Sequence, residues 1–171
     1  MTRLGYLGLG SNVGDRRANL EAAVEDLWGH HVEALASSSV YETEPVGGVE
    51  QGDFLNACVR VETELEPHAL LHACKAVEKA LGRELDGPGY VHWGPRPIDV
   101  DVLLLEDEVV DLPDLRVPHP ELTARRFVLV PLLELDPDVV VPGRGRAADA
   151  LEALGERDGV RLVGPPLNLS S

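Results

Sequence analysis

The chain has 171 residues, 44% of them hydrophobic and only 4% aromatic, which fits one domain (1–171) with an aliphatic core and excludes global disorder. A formal net charge of −15 at pH 7 disfavours nucleic acid and anionic membranes as partners. No apolar run approaches the roughly 20 residues needed to cross a bilayer, and the N-terminus lacks a signal peptide's apolar core, so we expect a soluble, cytoplasmic protein. We also expect a monomer.

Hydrophobic periodicity predicts a strand, a helix, a weaker strand, a further strand and a second helix in the first half of the chain, over residues 4–9, 15–28, 32–42, 54–63 and 67–82. Asp15 is placed to cap the first helix, and Pro67 opens the second helix at a position where its missing N–H has no cost. The apolar stripe of the first helix contains Leu20, Ala23, Val24, Leu27 and Trp28.

The second half predicts a strand over 98–105, a turn, a short return strand over 109–111 and a helix near 125–134. No element is assigned from Pro142 onward. The order β-α-β-β-α-β predicts an α+β fold of the ferredoxin-like split βαβ type, an antiparallel sheet with helices packed on it.

Two aspartates on one predicted strand are the most informative feature of the sequence. Alternation directs Asp99 and Asp101 to one face, roughly 6.6 Å apart, while Ile98, Val100 and Val102 enter the core. Two like charges so close favour a bound cation, and their hard oxygens suit Mg²⁺ completed by the phosphates of a nucleotide. Two ordinary surface aspartates on a solvated edge strand are the alternative interpretation.

Basic residues concentrate near this strand although the chain is strongly acidic. The set consists of Arg83, Arg96, His119, Arg125 and Arg126. Phosphoryl transfer needs charge stabilisation on phosphate oxygens, which Arg and Mg²⁺ supply. Glu78, beside the apolar stripe of its helix, could hold an arginine or the nucleotide, or lie at a partly exposed edge of the stripe.

A pocket for a flat polar molecule is predicted on the strand 54–63. Phe54 and Asn56 share the face opposite Leu55, Ala57, Val59 and Val61, so that an aromatic ring stands beside an amide that can donate and accept hydrogen bonds. The preceding loop, through Thr43 and Val46, could add backbone hydrogen bonds, and Phe127 could add a second ring face. A core phenylalanine with a satisfied asparagine remains the alternative.

Several familiar motifs are absent. The stretch from Gly8 to Gly14 fails as a dinucleotide fingerprint because Val13 occupies the place of the last glycine, and there is no GxxxxGK[ST] loop. Cys58 and Cys74 lie in apolar stretches without CxxC spacing, which predicts buried thiols in a reducing compartment.

The chain closely resembles the 6-hydroxymethyl-7,8-dihydropterin pyrophosphokinase family over about residues 4–142. The resemblance is carried, in chain order, by Leu9-Gly10-Ser11-Asn12, Tyr41-Glu42-Thr43 with Pro45, Phe54-Leu55-Asn56, Gly82-Arg83, Trp93-Gly94-Pro95-Arg96 with Asp99 and Asp101, and Pro118-His119-Pro120 followed by Arg125 and Phe127.

The resemblance implies transfer of the β,γ-diphosphate of ATP to the hydroxymethyl group of the pterin in folate biosynthesis, with AMP released. It implies two Mg²⁺ ions bound by Asp99 and Asp101. These two aspartates form the implied catalytic set together with Arg83 and Arg96. The resemblance implies ATP contacts from Arg83, Arg96, His119 and Arg125, and a mobile loop containing Trp93 that closes over the site. Glu78, Trp93 and Ile98 are further expected ATP contacts. The implied pterin contacts are Thr43, Val46, Phe54, Asn56 and Phe127.

The sequence departs from the family pattern at a few positions. Glu44 stands where proline is frequent, the loop between Arg83 and Trp93 is a few residues longer than usual, and Leu85 and His92 replace frequent basic residues. From the residues alone two other hypotheses stay open: a metal-dependent nucleotidyl or phosphodiester hydrolase built on the same aspartates, and a ferredoxin-like ligand-sensing module.

Overall fold

A computed structural model describes residues 2–44, 53–82, 97–106, 108–155 and 159–169. Its helices are α1 (Arg16–Gly29), α2 (Pro67–Ala80), α3 (Arg126–Leu135) and α4 (Ala147–Leu154), with one 3-10 turn at Leu122–Ala124. Its strands are β1 (Arg3–Ser11), β2 (Val32–Ser37), β3 (Val40–Thr43), β4 (Phe54–Thr63), β5 (Asp99–Leu105), β6 (Val110–Leu112), β7 (Leu115–Val117), β8 (Val140–Val141), β9 (Gly145–Arg146) and β10 (Val160–Gly164).

The main sheet has the strand order β10-β3-β4-β1-β5. Both β2 and β3 pair with β4, β3 with its first residues and β2 with its last. Each of these pairings is antiparallel. With β2 and β3 taken as one interrupted strand, the order β-α-β-β-α-β is the predicted one, and the α+β ferredoxin-like fold is confirmed.

The sheet separates two apolar cores because its side chains alternate between faces. On one face Leu7, Val59 and Val100 pack with α1 and α2. On the other face Tyr6, Cys58 and Leu103 pack with α3 and α4. The predicted alternation of β4 and β5 is therefore confirmed, and Asn56, Asp99 and Asp101 belong to the face that α3 only partly covers.

Two predictions for the first half of the chain are wrong in detail. The strand 32–42 is two strands, because Ser38 interrupts it: the backbone N–H of Cys58 donates to Ser38 Oγ at 2.9 Å, where a regular ladder would use a carbonyl. Trp28 is 59% exposed and does not belong to the core stripe of α1, since the helix turns it away from the sheet; the rest of that stripe is buried.

The second half differs in its hairpin and in its end. The short return strand lies at Val110–Leu112 and pairs with β7 rather than with β5, so the hairpin is a separate two-stranded sheet whose Leu115 and Val117 pack into the first core. After Pro142, where no element was predicted, α4 covers the second core and β10 extends the sheet beside β3. Among the described residues, no helix is long and apolar enough to cross a membrane.

Candidate active site

An open cavity of about 140 Å³ lies between the sheet and the start of α3. Its floor comes from β1, β4 and β5, and its wall from the residues around the N-terminus of α3. The predicted site residues that line it are Thr43, Phe54, Asn56, Asp99, Asp101, Arg125 and Phe127. The structure therefore brings the aspartate pair and the predicted ring pocket to one place, although they are distant in sequence.

The aspartates stand opposite glycines in the sheet. Gly8 of β1 pairs with Asp101 and Gly10 pairs with Asp99. On its other side, Gly10 is paired with Asn56 of β4, and a Cβ on Gly10 would lie 3.2 Å from Asn56 Oδ1. Both glycines line the cavity, and the absence of a side chain on Gly10 lets Asn56 and Phe54 lie close to the strand of the carboxylates.

Asn56 is held in position by a side chain and not only by its strand. Its Nδ2 donates to Thr43 Oγ1 at 2.7 Å, and both residues are buried. Because the amide nitrogen is bound there, the direction of the Asn56 carbonyl is set as well. Thr43 was predicted to offer its backbone to the pterin, but in this structure its hydroxyl also orients the neighbouring amide.

Arg125 and Phe127 form the wall of the cavity at the start of α3. The guanidinium carbon of Arg125 lies 5.5 Å from the centroid of the Phe127 ring, a distance at which a cation and a ring attract each other. Arg126 has a different place, since its Nη1 donates to the carbonyl of Gly155 at 2.7 Å. Of the two neighbouring arginines, Arg125 is the one that lines the cavity.

His119 lies near the aspartate end of the site. Its backbone N–H donates to the carbonyl of Leu103 on β5 at 3.0 Å. Burial lowers the pKa of the His119 imidazole, the charge of Asp101 opposes this, and Arg125 adds to the lowering. Among the described residues His119 does not line the cavity itself, but its backbone is bound to Leu103, which does.

Two predicted ATP contacts lie away from the cavity. Ile98 has a completely buried side chain in the core beneath the sheet, so that only its backbone could meet a nucleotide. Glu78 is 3% exposed and accepts the backbone N–H of Val100 at 2.9 Å. This contact attaches α2 to the strand segment that carries both aspartates.

Four predicted site residues, Val46, Arg83, Trp93 and Arg96, lie outside the described residues. The places of Gly8 and Gly10 in the cavity were not predicted, although two glycines alternating on a strand are a signal for a close approach of neighbouring groups. Arg144, which donates to backbone carbonyls around His119, was not predicted either, because it belongs to no recognisable motif.

The carboxylate oxygens in the described part of the chain are suitable ligands for Mg²⁺. No group of three or more His, Cys, Asp or Glu side chains there could hold a metal by itself. Mg²⁺ does not need such a cage, since it commonly takes one or two carboxylates and keeps water or phosphate oxygens. Asp99 and Asp101, adjacent on one strand face and open to the cavity, fit that mode.

The fold and the cavity define a class of protein: a ferredoxin-like α+β domain whose sheet presents two carboxylates beside a pocket of aromatic and amide side chains. The sequence model described as 7,8-dihydro-6-hydroxymethylpterin-pyrophosphokinase matches residues 6–137. The chain belongs to this family, as the motifs in its sequence had indicated.

Two relatives support the family assignment. The 2-amino-4-hydroxy-6-hydroxymethyldihydropteridine pyrophosphokinase of Methylorubrum extorquens is 48% identical over 144 residues, covering 84% of this chain and 88% of the relative. The protein of the same name from Bacillus subtilis is 39% identical over 163 residues, covering 95% and 91%.

Solved structures support the fold. A Plasmodium falciparum HPPK-DHPS superposes with a TM-score of 0.70 at 16% identity, covering 92% of this chain and 44% of that one. This chain therefore spans less than half of that longer protein.

Proposed function

We propose that the protein transfers the β,γ-diphosphate of ATP, in the presence of Mg²⁺, to the hydroxymethyl group of 6-hydroxymethyl-7,8-dihydropterin and releases AMP. The observation that carries this proposal is the meeting, in one cavity, of two carboxylates, a guanidinium and an aromatic pocket with an oriented amide. We further expect a cytoplasmic monomer without nucleic-acid or membrane partners, in keeping with its net charge of −15.

At the ring end, Phe54 and Phe127 would cover the two faces of the pterin. Asn56 would bind its polar edge, and it is well suited to do so because the hydrogen bond to Thr43 fixes the direction of its amide. Flat heterocycles are recognised in this way, by stacking on aromatic faces and by one polar group that sets the orientation. Val46 is predicted to contribute a backbone contact from outside the described residues.

At the phosphate end, Asp99 and Asp101 would hold Mg²⁺, two ions in our proposal, and Arg125 would neutralise phosphate charge. Bound Mg²⁺ would orient the phosphates and stabilise negative charge on them. His119 would add a hydrogen bond to ATP. Arg83, Arg96 and Trp93 keep the roles that the family resemblance implies, and Ile98 would offer its backbone. Glu78 would support the strand rather than touch the nucleotide.

In the reaction, the hydroxymethyl oxygen forms a bond to the β-phosphorus, and the bond from that phosphorus to the oxygen bridging to the α-phosphorus breaks. AMP takes the electron pair of the broken bond, and the hydroxyl proton is lost. The chain's part is to hold the ring so that the hydroxymethyl group faces the phosphates in line, and to supply positive charge where negative charge gathers on the leaving oxygen.

Product analysis tests the proposal. The protein is incubated with ATP, Mg²⁺ and the pterin, and the nucleotides and pterin products are separated. We expect AMP and pterin diphosphate in equal amounts, neither of them without pterin or with excess EDTA. AMP formed without pterin, or ADP as the product, would instead support a hydrolase or a simple kinase, and ATP binding without any turnover would support a sensing module.

Two neighbouring arginines provide a matched pair of variants. Arg125→Gln removes a charge that lines the cavity, whereas Arg126→Gln removes one that binds the Gly155 carbonyl. We expect Arg125→Gln to lower kcat/KM for ATP by more than about tenfold, in the range of a lost hydrogen bond to a charged group, and Arg126→Gln to change it little. Equal losses in both variants would contradict the assignment of Arg125.

A further inference from the structure

The tripeptide Pro118-His119-Pro120 is anchored by one arginine far along the chain. Proline has no N–H, so the tripeptide has a single backbone donor, that of His119, which binds the Leu103 carbonyl. Arg144 provides donors for its carbonyls: Nη1 donates to the oxygen of His119 at 2.8 Å and to that of Pro120 at 3.3 Å, and Nη2 donates to that of Pro118 at 3.2 Å. One guanidinium therefore holds three successive carbonyls.

Both ends of this connection are well fixed. The backbone N–H of Arg144 donates to the carbonyl of Val141 at 2.9 Å, in the tight turn between β8 and β9, and Val141 is completely buried. At the other end, the Leu103 carbonyl that binds His119 belongs to β5, the strand of the aspartate pair. Arg144 thus ties the loop of His119 to the turn between β8 and β9, while the His119 N–H ties the same loop to the aspartate strand.

The orientation of the His119 ring depends on this backbone. Its Nδ1 accepts the backbone N–H of Glu121 at 3.1 Å, so the neutral ring carries its hydrogen on Nε2. Because the partner of Nδ1 is a backbone group of the same loop, any movement of that loop would turn the imidazole. Three of the five N–H donors of Arg144 bind these carbonyls, so its guanidinium is directed at the backbone of the loop.

We propose that Arg144 is a positioning residue for the phosphate side of the site, which acts through His119 by holding the imidazole donor at Nε2 in place for ATP. This inference rests on the proposed function, in which His119 contacts ATP. It lies beyond the family match, because Arg144 follows the matched residues 6–137. It predicts that ATP binding depends on Arg144 while pterin binding at the opposite end of the cavity does not.

A double-mutant cycle tests this. Arg144→Gln, His119→Gln and the double variant are compared with the parent protein for the Kd of Mg-ATP and for KM of ATP and of the pterin. We expect Arg144→Gln to raise the ATP constants by roughly fivefold or more and to leave the pterin KM unchanged. In the His119→Gln background, the same substitution should have almost no further effect. Arg146→Gln, which removes the cation of an exposed ion pair with Asp138, is the matched control.

A second readout does not depend on activity. The His119 ring resonance, assigned by its loss in His119→Gln, should shift in Arg144→Gln and stay in place in Arg146→Gln. If the parent makes no AMP, the proposed function fails, and this measurement still tests the positioning role. If Arg144→Gln does not fold, Arg144→Lys is used instead. It keeps the charge but lacks the planar fork of donors, so a smaller shift in the same direction is expected.

Three outcomes would overturn the inference. An equal loss of ATP affinity in the parent and in the His119→Gln background would mean that Arg144 acts independently of His119. Parallel increases in both KM values would mean a general structural role. An unchanged ATP Kd together with an unmoved His119 resonance would mean that Arg144 positions nothing at the site.

Discussion

Glu78 offers the sharpest test of a structural role against a ligand role, because it was predicted to contact ATP and the structure places it beneath the sheet. Its carboxylate, 3% exposed, accepts the backbone N–H of Val100 at 2.9 Å. Val100 lies between the two aspartates, on the strand at the edge of the main sheet. Glu78→Ala removes the acceptor and leaves that N–H without this partner.

The expected cost follows from that contact. A hydrogen bond to a charged group contributes about 1.5–3 kcal/mol, and the one buried methylene that is lost adds about 0.8 kcal/mol. We therefore expect Glu78→Ala to lower the free energy of unfolding by about 2–4 kcal/mol. Glu78→Gln keeps an oxygen acceptor for Val100 and should cost less than about 1.5 kcal/mol, since a neutral bond is roughly half as strong.

Urea unfolding with a constant m value measures both variants, with Lys79→Ala as the control on an exposed position of the same helix. The control should stay within about 0.5 kcal/mol of the parent. The reasoning is refuted if Glu78→Ala is as stable as that control yet no longer binds Mg-ATP, because Glu78 would then be a ligand of the nucleotide.

Three further predictions concern other groups. Asp101→Asn should lower turnover by more than about a hundredfold with an unchanged melting temperature, because Asp101 is exposed and leaves no cavity; a large drop in Tm would contradict this. Hydrogen bonds from Arg161 and, to a smaller extent, Arg16 depress the pKa of Glu42 below its ordinary 4.5. The stabilisation by Glu42 is therefore present above about pH 4.5 and is lost as the pH falls through the lower folded pKa. In urea titrations at acid pH, the difference in stability between the parent and Glu42→Gln should vanish below that pKa, and a difference that widens would refute the prediction. Burial raises the pKa of Cys74 to about 12, so a thiol reagent at pH 8 should label it only after unfolding, and rapid labelling of the native protein would show the thiol to be accessible.

The sequence by itself determined the β-α-β-β-α-β order of the central elements and the faces of β4 and β5. Both are local properties, because a side chain on a strand changes face with every residue and a helix repeats every 3.6 residues. That is why Phe54 and Asn56 could be assigned to one face of β4, Asp99 and Asp101 to one face of β5, and the family motifs noticed in order. It also explains why Asp15 as a cap and Pro67 at a helix start were confirmed.

Only the tertiary structure decided which residues act on one another. The hydroxyl of Thr43 holds Asn56, Glu78 supports the aspartate strand, and Arg144 holds the loop of His119. Each contact joins residues that are far apart in sequence, and no helical or strand periodicity relates their positions. Packing also decides that Trp28 is exposed and that Arg125, rather than Arg126, lines the cavity. Local periodicity sets the face that a side chain takes, but packing sets the partner that it finds there.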